Sequence, residues 1–295
     1  GVSPPIMEPD SVGGVVLSWQ YAGGGQNHLY VQRVNSNGQL LWGSGQPGEP
    51  LSVRGGFVNM NPGDFRMAVD PFGGALVAWT ERSQPTSSDE RIRASWVYHD
   101  GTKFSGPNGV ELPGSNEQML ISDLALDDAS HFFVLYREEV PGSPVHRLAV
   151  RRVEPDIFGG ISDFWGASGK TIAAGGIYES RIFGRDPDGG CLVVWRDNYD
   201  LNATRLTAEG SPAWIDREHR IASDVFGDVL ATSDGARGAY VLWRGLTNSL
   251  YAARVSNTVL PNAEVAISSF VRWTNNIARP ISETHANGCP KGDED

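Results

Sequence analysis

Four acidic residues recur at one place in a repeated pattern and could take part in acid–base chemistry. They stand where the first strand of a predicted repeat unit begins: Asp64, Asp123, Glu179 and Asp228. In a ring of such units these carboxyl groups converge near one mouth of a central channel, where crowding and burial raise a carboxyl pKa. Cleavage of a glycosidic bond needs two carboxyl groups, one as an acid and one as a base or nucleophile. The alternative is a solvated rim of loop carboxylates.

The repeat that positions these residues is the clearest signal in the chain. A ten-residue pattern reads "DSVGGVVLSW" at 10–19, "DPFGGALVAW" at 70–79 and "DPDGGCLVVW" at 186–195, and weaker copies end at Tyr136 and Trp243. The terminal aromatics are 60, 57, 59 and 48 residues apart. Periods of this size are typical of propeller blades or solenoid units.

Each unit contains four short strand patterns joined by hairpin turns, and helical periodicity is nearly absent. This predicts an all-β fold, a β-propeller of four-stranded antiparallel blades, with five blades and a C-terminal tail. We predict blades at about 1–55, 56–115, 116–174, 175–223 and 224–268, and a C-terminal extension over 269–295. A six- or seven-bladed parent is the alternative, and it would leave a cleft or an unpaired edge.

Two repeated polar positions are predicted to be structural. The aspartate of the Asp-Gly-Gly element, as in Asp70 and Asp186, can bond its own backbone two residues on, and glycine supplies the positive φ of the turn. An arginine recurs on an apolar face of the third strand, at Arg33, Arg152, Arg205 and Arg254. Such an arginine needs a partner, for which we predict a carboxylate or carbonyl of the adjacent blade. A ring of anion-binding arginines is the alternative.

The combination "GGxxVxW … LYxQRVxxxGxxLW", found from Gly13 to Trp19 and from Leu29 to Trp42, resembles the β-propeller repeats of secreted bacterial proteins. The likeness extends over residues 1 to about 268. It implies blade architecture and an exported protein, located outside the cell, on its surface or in the periplasm, and implies no particular activity. Two blades depart from the pattern: Trp96 stands at the arginine position of the second, and Ala129 and Ser130 replace Gly-Gly in the third.

Composition excludes some partners. The formal net charge of −11 argues against nucleic acid, because phosphate binding needs a basic face. No apolar run approaches the roughly 20 residues that span a bilayer. Glycans, cations and basic protein surfaces remain as ligands.

The sequence predicts no cofactor and no metal site. Calcium is a weak alternative, because 186–190 and 197–202 offer several oxygen ligands without the spacing of a calcium loop. The two cysteines, Cys191 and Cys289, are predicted to form a disulfide that ties the tail to the body if the protein is exported. The alternative is one buried thiol and one exposed thiol.

Because no catalytic motif is recognisable, we predict a non-enzymatic, exported interaction or assembly module that binds a protein partner as an accessory subunit of a larger complex. The segments 80–92 and 154–168 depart most from the repeat and are the predicted interface. Aromatic side chains there and in other loops are the candidate contacts: Trp96, Phe158, Phe164, Trp165, Tyr199 and Trp273. The alternatives are a carbohydrate-active enzyme that uses the four carboxyl groups and a lectin-like propeller that binds glycans.

Overall fold

The chain folds into five antiparallel sheets that follow one another along the sequence. The structure, a computed structural model, describes residues 3–23, 26–43, 48–52, 65–82, 89–103, 105–106, 108–112, 118–127, 131–139, 145–155, 160–166, 168–184, 188–214, 217–235, 238–245, 249–255 and 267–273. These residues form 21 strands. Each sheet is one blade, and its first strand is the innermost. The predicted all-β, five-bladed propeller is confirmed.

The strands follow the blades in chain order. Blade one contains β1 (Ile6–Pro9), β2 (Val15–Gly23), β3 (Gln26–Val34) and β4 (Glu49–Ser52). Blade two contains β5 (Phe65–Val69), β6 (Ala75–Arg82), β7 (Glu90–Val97) and β8 (Val110–Glu111). Blade three contains β9 (Met119–Leu126), β10 (Phe132–Glu139), β11 (His146–Pro155), β12 (Ile161–Asp163) and β13 (Lys170–Gly175). Blade four contains β14 (Ile177–Phe183), β15 (Cys191–Asp197), β16 (Asp200–Leu206) and β17 (His219–Ala222). Blade five contains β18 (Val225–Ser233), β19 (Ala239–Gly245), β20 (Leu250–Val255) and β21 (Ile267–Trp273).

Two details differ from the sequence-based prediction. Blade three has a fifth strand, because β12, which lies within the insertion at 154–168, pairs with β11 beside β13. The last strand of blade five extends to Trp273, five residues past the predicted boundary at 268, since β21 pairs with β20 along this length. The remaining residues of the predicted tail lie outside the described part of the chain.

The Asp-Gly-Gly element forms the turn between the first two strands of a blade. In blade two, Asp70 accepts hydrogen bonds from the N–H groups of Phe72 at 2.6 Å and Gly74 at 3.0 Å. Gly73 has a φ of +86°, which a residue with a Cβ adopts only at a cost. At Gly74, a Cβ would lie 3.0 Å from the carbonyl oxygen of Val97 and 2.6 Å from Asp70 Oδ2. The first glycine therefore supplies the turn conformation, and the second lets the third strand approach.

The apolar core is divided into four clusters, each between two consecutive blades. Val16 and Leu29 of blade one pack with Val77 and Trp79 of blade two. The clusters between blades two and three, three and four, and four and five are built in the same way. Sheets bury both faces only when a neighbour lies on each side, which explains the continuous apolar run of β6. Among the described residues, no fifth cluster joins blade five to blade one.

Two of the repeated arginines, Arg33 and Arg152, bond to the turn aspartate of their own blade and to a carbonyl of the next. Arg33 Nε lies 3.0 Å from Asp10 Oδ2, and its Nη1 donates to the carbonyl of His99 in blade two at 3.1 Å. Trp42 Nε1 donates to the same carbonyl at 3.1 Å. We call this set of contacts the arginine latch. The predicted partner type is present, but the carboxylate comes from the arginine's own blade.

The latch recurs between blades three and four. Arg152 lies 2.7 Å from Asp127 Oδ2 and donates to the carbonyl of Ala208 at 3.2 Å, and Trp165 Nε1 donates to that carbonyl at 2.9 Å. In blade four, Arg205 lies 3.3 Å from the exposed Asp188. Asp186, the predicted turn residue of that blade, lies outside the described residues.

Removing the buried carboxylate of one latch tests its contribution to stability. Asp127 is fully buried, so Asp127→Asn leaves the Arg152 guanidinium without its countercharge. We expect the free energy of unfolding to fall by about 2–4 kcal/mol, measured by urea denaturation. Asp200→Asn is the matched control: its side chain and that of its partner Arg220 are 41% and 63% exposed, and a solvated pair contributes at most about 1 kcal/mol. Equal losses in the two variants would contradict a structural role for the buried pair.

Candidate functional site

The innermost strands of the five blades surround a central channel. A cavity of about 470 Å³ lies there and is lined by residues of β1, β5, β9, β14 and β18. Three ionisable side chains contribute to its wall, namely Glu8, Asp123 and Arg181. The rest of the lining is mostly apolar, with hydroxyl groups from Ser11, Thr232 and Ser233. The channel is therefore a concave site with a few polar groups, as ligand sites commonly are.

Strand register places Asp123 between two arginines of neighbouring blades. Arg66 of β5 is opposite Ala78, Asp123 of β9 is opposite Leu135, and Arg181 of β14 is opposite Val194. Each of these partner residues directly precedes the repeated aromatic of its blade. The three charged residues therefore occupy equivalent positions in blades two, three and four, with the carboxyl group in the middle.

The Asp123 carboxyl group is held by the next blade. Its Oδ2 accepts a hydrogen bond of 3.0 Å from the N–H of Ile182 in β14. Burial raises the pKa of Asp123 above its ordinary value, against the opposing effects of this N–H, of Arg181 and of Arg66. A carboxyl group whose pKa is raised in this way keeps its proton to higher pH and can act as an acid.

Glu179 is held in a similar way, one blade further on. Its Oε2 accepts a hydrogen bond of 2.6 Å from the N–H of Val229 in β18, and its Oε1 lies 4.0 Å from Arg196 Nη2. Glu179 and Arg181 are two residues apart on β14 and so lie on the same side of that strand. Glu179 is not part of the cavity wall itself and lies beyond the end of the cavity along the strand.

The other two predicted acidic residues do not join this pair. Asp228 is exposed and lines a separate depression formed by β18, β19 and β20 of blade five. Asp64 lies outside the described residues. Of the four predicted carboxyl groups, the structure therefore brings Asp123 into the channel and Glu179 close to it.

The sequence analysis missed Arg66 and Arg181. A signal for them exists, because Arg66 and Asp123 both precede the aromatic of their blade by 13 residues and Arg181 precedes it by 14. The hydrogen bonds of Arg66 explain how it is fixed: its Nε donates to the carbonyl of Ser122 in blade three at 2.7 Å, and its Nη1 donates to the carbonyl of Phe65 at 2.8 Å.

Several predicted interface aromatics are core residues instead. Trp96 is 7% exposed and packs edge-on against Phe132 at 4.9 Å between centroids, within the cluster between blades two and three. Trp165 is 8% exposed and belongs to the cluster between blades three and four. Both are wrong as interface candidates, because the adjacent blade covers them. Phe164 and Tyr199 are exposed, while Phe158 and the side chain of Trp273 lie outside the described residues.

The other sequence predictions concern cysteines, metals and membranes. Cys191 is fully buried between blades three and four. Cys289 lies outside the described residues, so the disulfide stays a prediction. In the described part of the chain, no three His, Cys, Asp or Glu side chains are grouped to hold a metal ion, and no helix is long and apolar enough to cross a membrane.

Solved structures with a related architecture include several enzymes. An endo-arabinase from Bacteroides thetaiotaomicron is 10% identical, with 91% of this chain and 92% of that chain covered, at a TM-score of 0.44. An α-L-arabinanase from Penicillium chrysogenum, in complex with arabinobiose, is 12% identical, with 88% and 78% covered, at a TM-score of 0.47. A family 43 glycoside hydrolase from Bacillus licheniformis is 11% identical, with 87% and 73% covered, at a TM-score of 0.43. No protein-family model and no curated protein matches the sequence.

These matches contradict the prediction of a non-enzymatic interaction module, which is wrong. The three structures named above are described as an endo-arabinase, an α-L-arabinanase and a glycoside hydrolase, and none as an interaction module. At such low identities and TM-scores the likeness identifies no catalytic residue and no substrate.

Titration of individual carboxyl groups tests the environment of Asp123. We expect its ¹³C NMR titration to lie above the ordinary aspartate range. Asp100 should titrate below that range in the same experiment, since the N–H of Thr102 bonds to its charged form. An Asp123 titration at or below that of Asp100 would contradict the assignment.

The same shift predicts a sign for the pH dependence of stability. The folded-state pKa of Asp123 lies above the unfolded value of about 3.9, so the folded protein binds more protons in that window. Its stability therefore falls as pH rises from the unfolded to the folded pKa. Asp123→Asn removes the contribution of this carboxyl group to the pH dependence. As pH rises from the unfolded to the folded pKa of Asp123, the free energy of unfolding of the variant should therefore rise relative to that of the unsubstituted protein.

Proposed function

We propose that the channel is the active site of a carbohydrate-active enzyme of the glycoside hydrolase type, with Asp123 as the general acid. One observation carries the proposal: a carboxyl group with a raised pKa lines a cavity of about 470 Å³ at the centre of the ring. Perturbed carboxyl groups in clefts are frequent in catalytic sites. The cavity has the size of a small-molecule site and exposes hydroxyl groups for a polyhydroxylated ligand.

The surroundings of Asp123 suit proton donation. In the acid role, Asp123 transfers its proton to the glycosidic oxygen as the bond between that oxygen and the anomeric carbon breaks. The transfer leaves a carboxylate on Asp123. Arg66 and Arg181 both stabilise that charged form, and the N–H of Ile182 fixes the orientation of the group. The two arginines therefore act on the form of Asp123 that develops during the reaction.

Glu179 is the proposed second carboxyl group, acting as a general base on water. Asp123 accepts a hydrogen bond from the N–H of Ile182 in β14, and Glu179 accepts one from the N–H of Val229 in β18, so the two carboxyl groups are held by neighbouring innermost strands. The separation of the two carboxyl groups differs between retaining enzymes, at about 5 Å, and inverting ones, at about 6.5–9.5 Å, and the configuration of the product distinguishes the two.

The proposed activity also bears on location. Polymeric glycans from outside the cell do not cross membranes, so an enzyme that degrades such glycans works outside the cytoplasm. This is consistent with the resemblance of the blades to repeats of secreted bacterial proteins, and we propose export on these two grounds.

Hydrolysis assays on a panel of neutral and acidic polysaccharides test the proposal. For a substrate that the unsubstituted protein cleaves, Asp123→Asn should reduce kcat by about 10²–10⁴-fold, because the acid is lost. Glu179→Gln should reduce kcat similarly, and ¹H NMR of the first product should establish whether the anomeric configuration is inverted or retained.

The control for both variants is Asp200→Asn, a carboxylate on the outer strand β16 whose side chain is 41% exposed. It should keep full activity. All variants are first compared by thermal unfolding, so that a loss of activity is not a loss of fold. Retention of activity by Asp123→Asn, or no cleavage of any glycan by the unsubstituted protein, would overturn the proposal.

A further inference from the structure

Arg181 and its counterpart Arg66 differ in how their guanidinium groups are held. Both donate from Nη1 to the carbonyl of the residue before them, at 2.8 Å in Arg66 and 3.0 Å in Arg181. Arg66 also donates from Nε to the carbonyl of Ser122 in the next blade at 2.7 Å. Among the described residues, no oxygen of another blade accepts a hydrogen bond from Arg181. Arg66 is therefore part of a contact between blades, whereas Arg181 keeps its other N–H donors for a further acceptor.

The remaining donors of Arg181 belong to the channel cavity. Arg181 is part of the cavity wall, and Arg66 is not. In the described part of the chain, no carboxylate forms an ion pair with Arg181. Asp123, on the same wall, carries its proton in the acid role, since burial raises its pKa, and so does not neutralise Arg181 before the reaction. The cavity wall therefore presents a cation without a paired anion.

The third ionisable group of the cavity, Glu8, stands on another part of the wall. The innermost strands follow one another in the order β1, β5, β9, β14 and β18. Arg181 is on β14, which adjoins β9 and β18, whereas Glu8 is on β1, which adjoins β5. The hydroxyl groups of Thr232 and Ser233 are on β18, the strand next to that of Arg181. A ligand in the cavity therefore meets a cation with hydroxyl groups on the adjoining strand, and a carboxylate elsewhere.

This arrangement favours a ligand that carries both a carboxylate and hydroxyl groups. The guanidinium presents its N–H donors in a rigid planar fork, which matches the two oxygens of a carboxylate. Away from bulk water, the attraction between the two charges is stronger than at the surface. A uronic acid has its carboxylate on a sugar ring whose other substituents are hydroxyl groups. A neutral sugar has no group that compensates the charge of Arg181.

We propose that Arg181 binds a carboxylate of the substrate, so that the glycans cleaved in the channel contain uronic acid units. This inference rests on the proposed function and names its substrate class. Arg66 stays beside Asp123 and stabilises the carboxylate that forms when the proton is transferred. A substrate carboxylate near Asp123 also favours the protonated form of Asp123 before the reaction, which is the form that acts as the acid.

Binding of uronic acid oligomers tests the proposal separately from catalysis. The starting protein is Asp123→Asn, which keeps a neutral side chain at this position and lacks the acid. Its Kd is measured by calorimetry for oligomers of galacturonic, glucuronic and mannuronic acid, each beside its carboxyl-reduced, neutral counterpart. We expect at least one acidic oligomer to bind more tightly than its neutral counterpart. Adding Arg181→Gln should raise that Kd about tenfold or more, because hydrogen bonds between charged groups are lost, and should leave the Kd of the neutral oligomer unchanged.

The matched control is Arg220→Gln, which removes an arginine of β17 that is 63% exposed and pairs with Asp200. It should leave the Kd of the acidic oligomer unchanged. Arg181→Lys keeps the charge without the planar fork and should give an intermediate Kd. Thermal unfolding of every variant is compared first. If Arg181→Gln does not fold, Arg181→Lys decides the question, and an unchanged Kd in that variant contradicts the proposal.

Two results of the calorimetry would overturn the proposal: acidic oligomers that bind no more tightly than their neutral counterparts, or a Kd that Arg181→Gln leaves unchanged. A sulfated galactan oligomer that depends on Arg181, when no uronic acid oligomer does, would overturn it as well. Hydrolysis separates this inference from the proposed function. A protein that binds uronic acids through Arg181 but cleaves no glycan contradicts the proposed function alone, and one that cleaves only neutral glycans contradicts this inference alone.

Discussion

Face-to-face packing of consecutive sheets is the interaction on which the rest of this structure depends. A blade is a sheet of short strands whose two sides are both apolar, so neither side is stable in water alone. Each large side chain that a neighbouring blade covers contributes about 1.5–3 kcal/mol relative to full exposure. The four apolar clusters between blades supply this stabilisation. The two arginine latches fix how the blades they join are aligned. Blade-to-blade contact thereby also sets the shape of the channel.

The channel shows how a repeated fold acquires a unique site. Arg66, Asp123 and Arg181 occupy equivalent positions, yet each blade places a different group there. The free edge of each innermost strand faces the channel and carries N–H groups that need acceptors. Asp123 and Glu179 satisfy two of them, at Ile182 and Val229. A structural demand thus positions the two carboxyl groups, and the burial that accompanies it raises the pKa of Asp123.

Much of the fold could be predicted from the residues, because its determinants are local. The turn aspartate, the glycine pair and the period-two strands act within ten residues, and their repetition makes the blade visible. The candidate site was harder to predict from the sequence. The sequence predicts Trp96 and Trp165 to be loop aromatics, but an adjacent blade covers both. The local sequence pattern does not show which side chains a neighbouring blade will cover. The acidic set was recognised by its place in the repeat, which does not reveal which members reach the cavity.

By itself, the sequence determined the architecture: five blades, the turn chemistry between their first two strands, and the need of each strand arginine for a partner. The tertiary structure alone decided which carboxyl group lies between two arginines and which aromatics belong to the core. The physical reason is the distance along the chain over which each interaction acts. Turn and strand preferences follow from neighbours along the chain, whereas burial, and with it the pKa of Asp123, depends on residues up to 59 positions away that only the packed ring brings together.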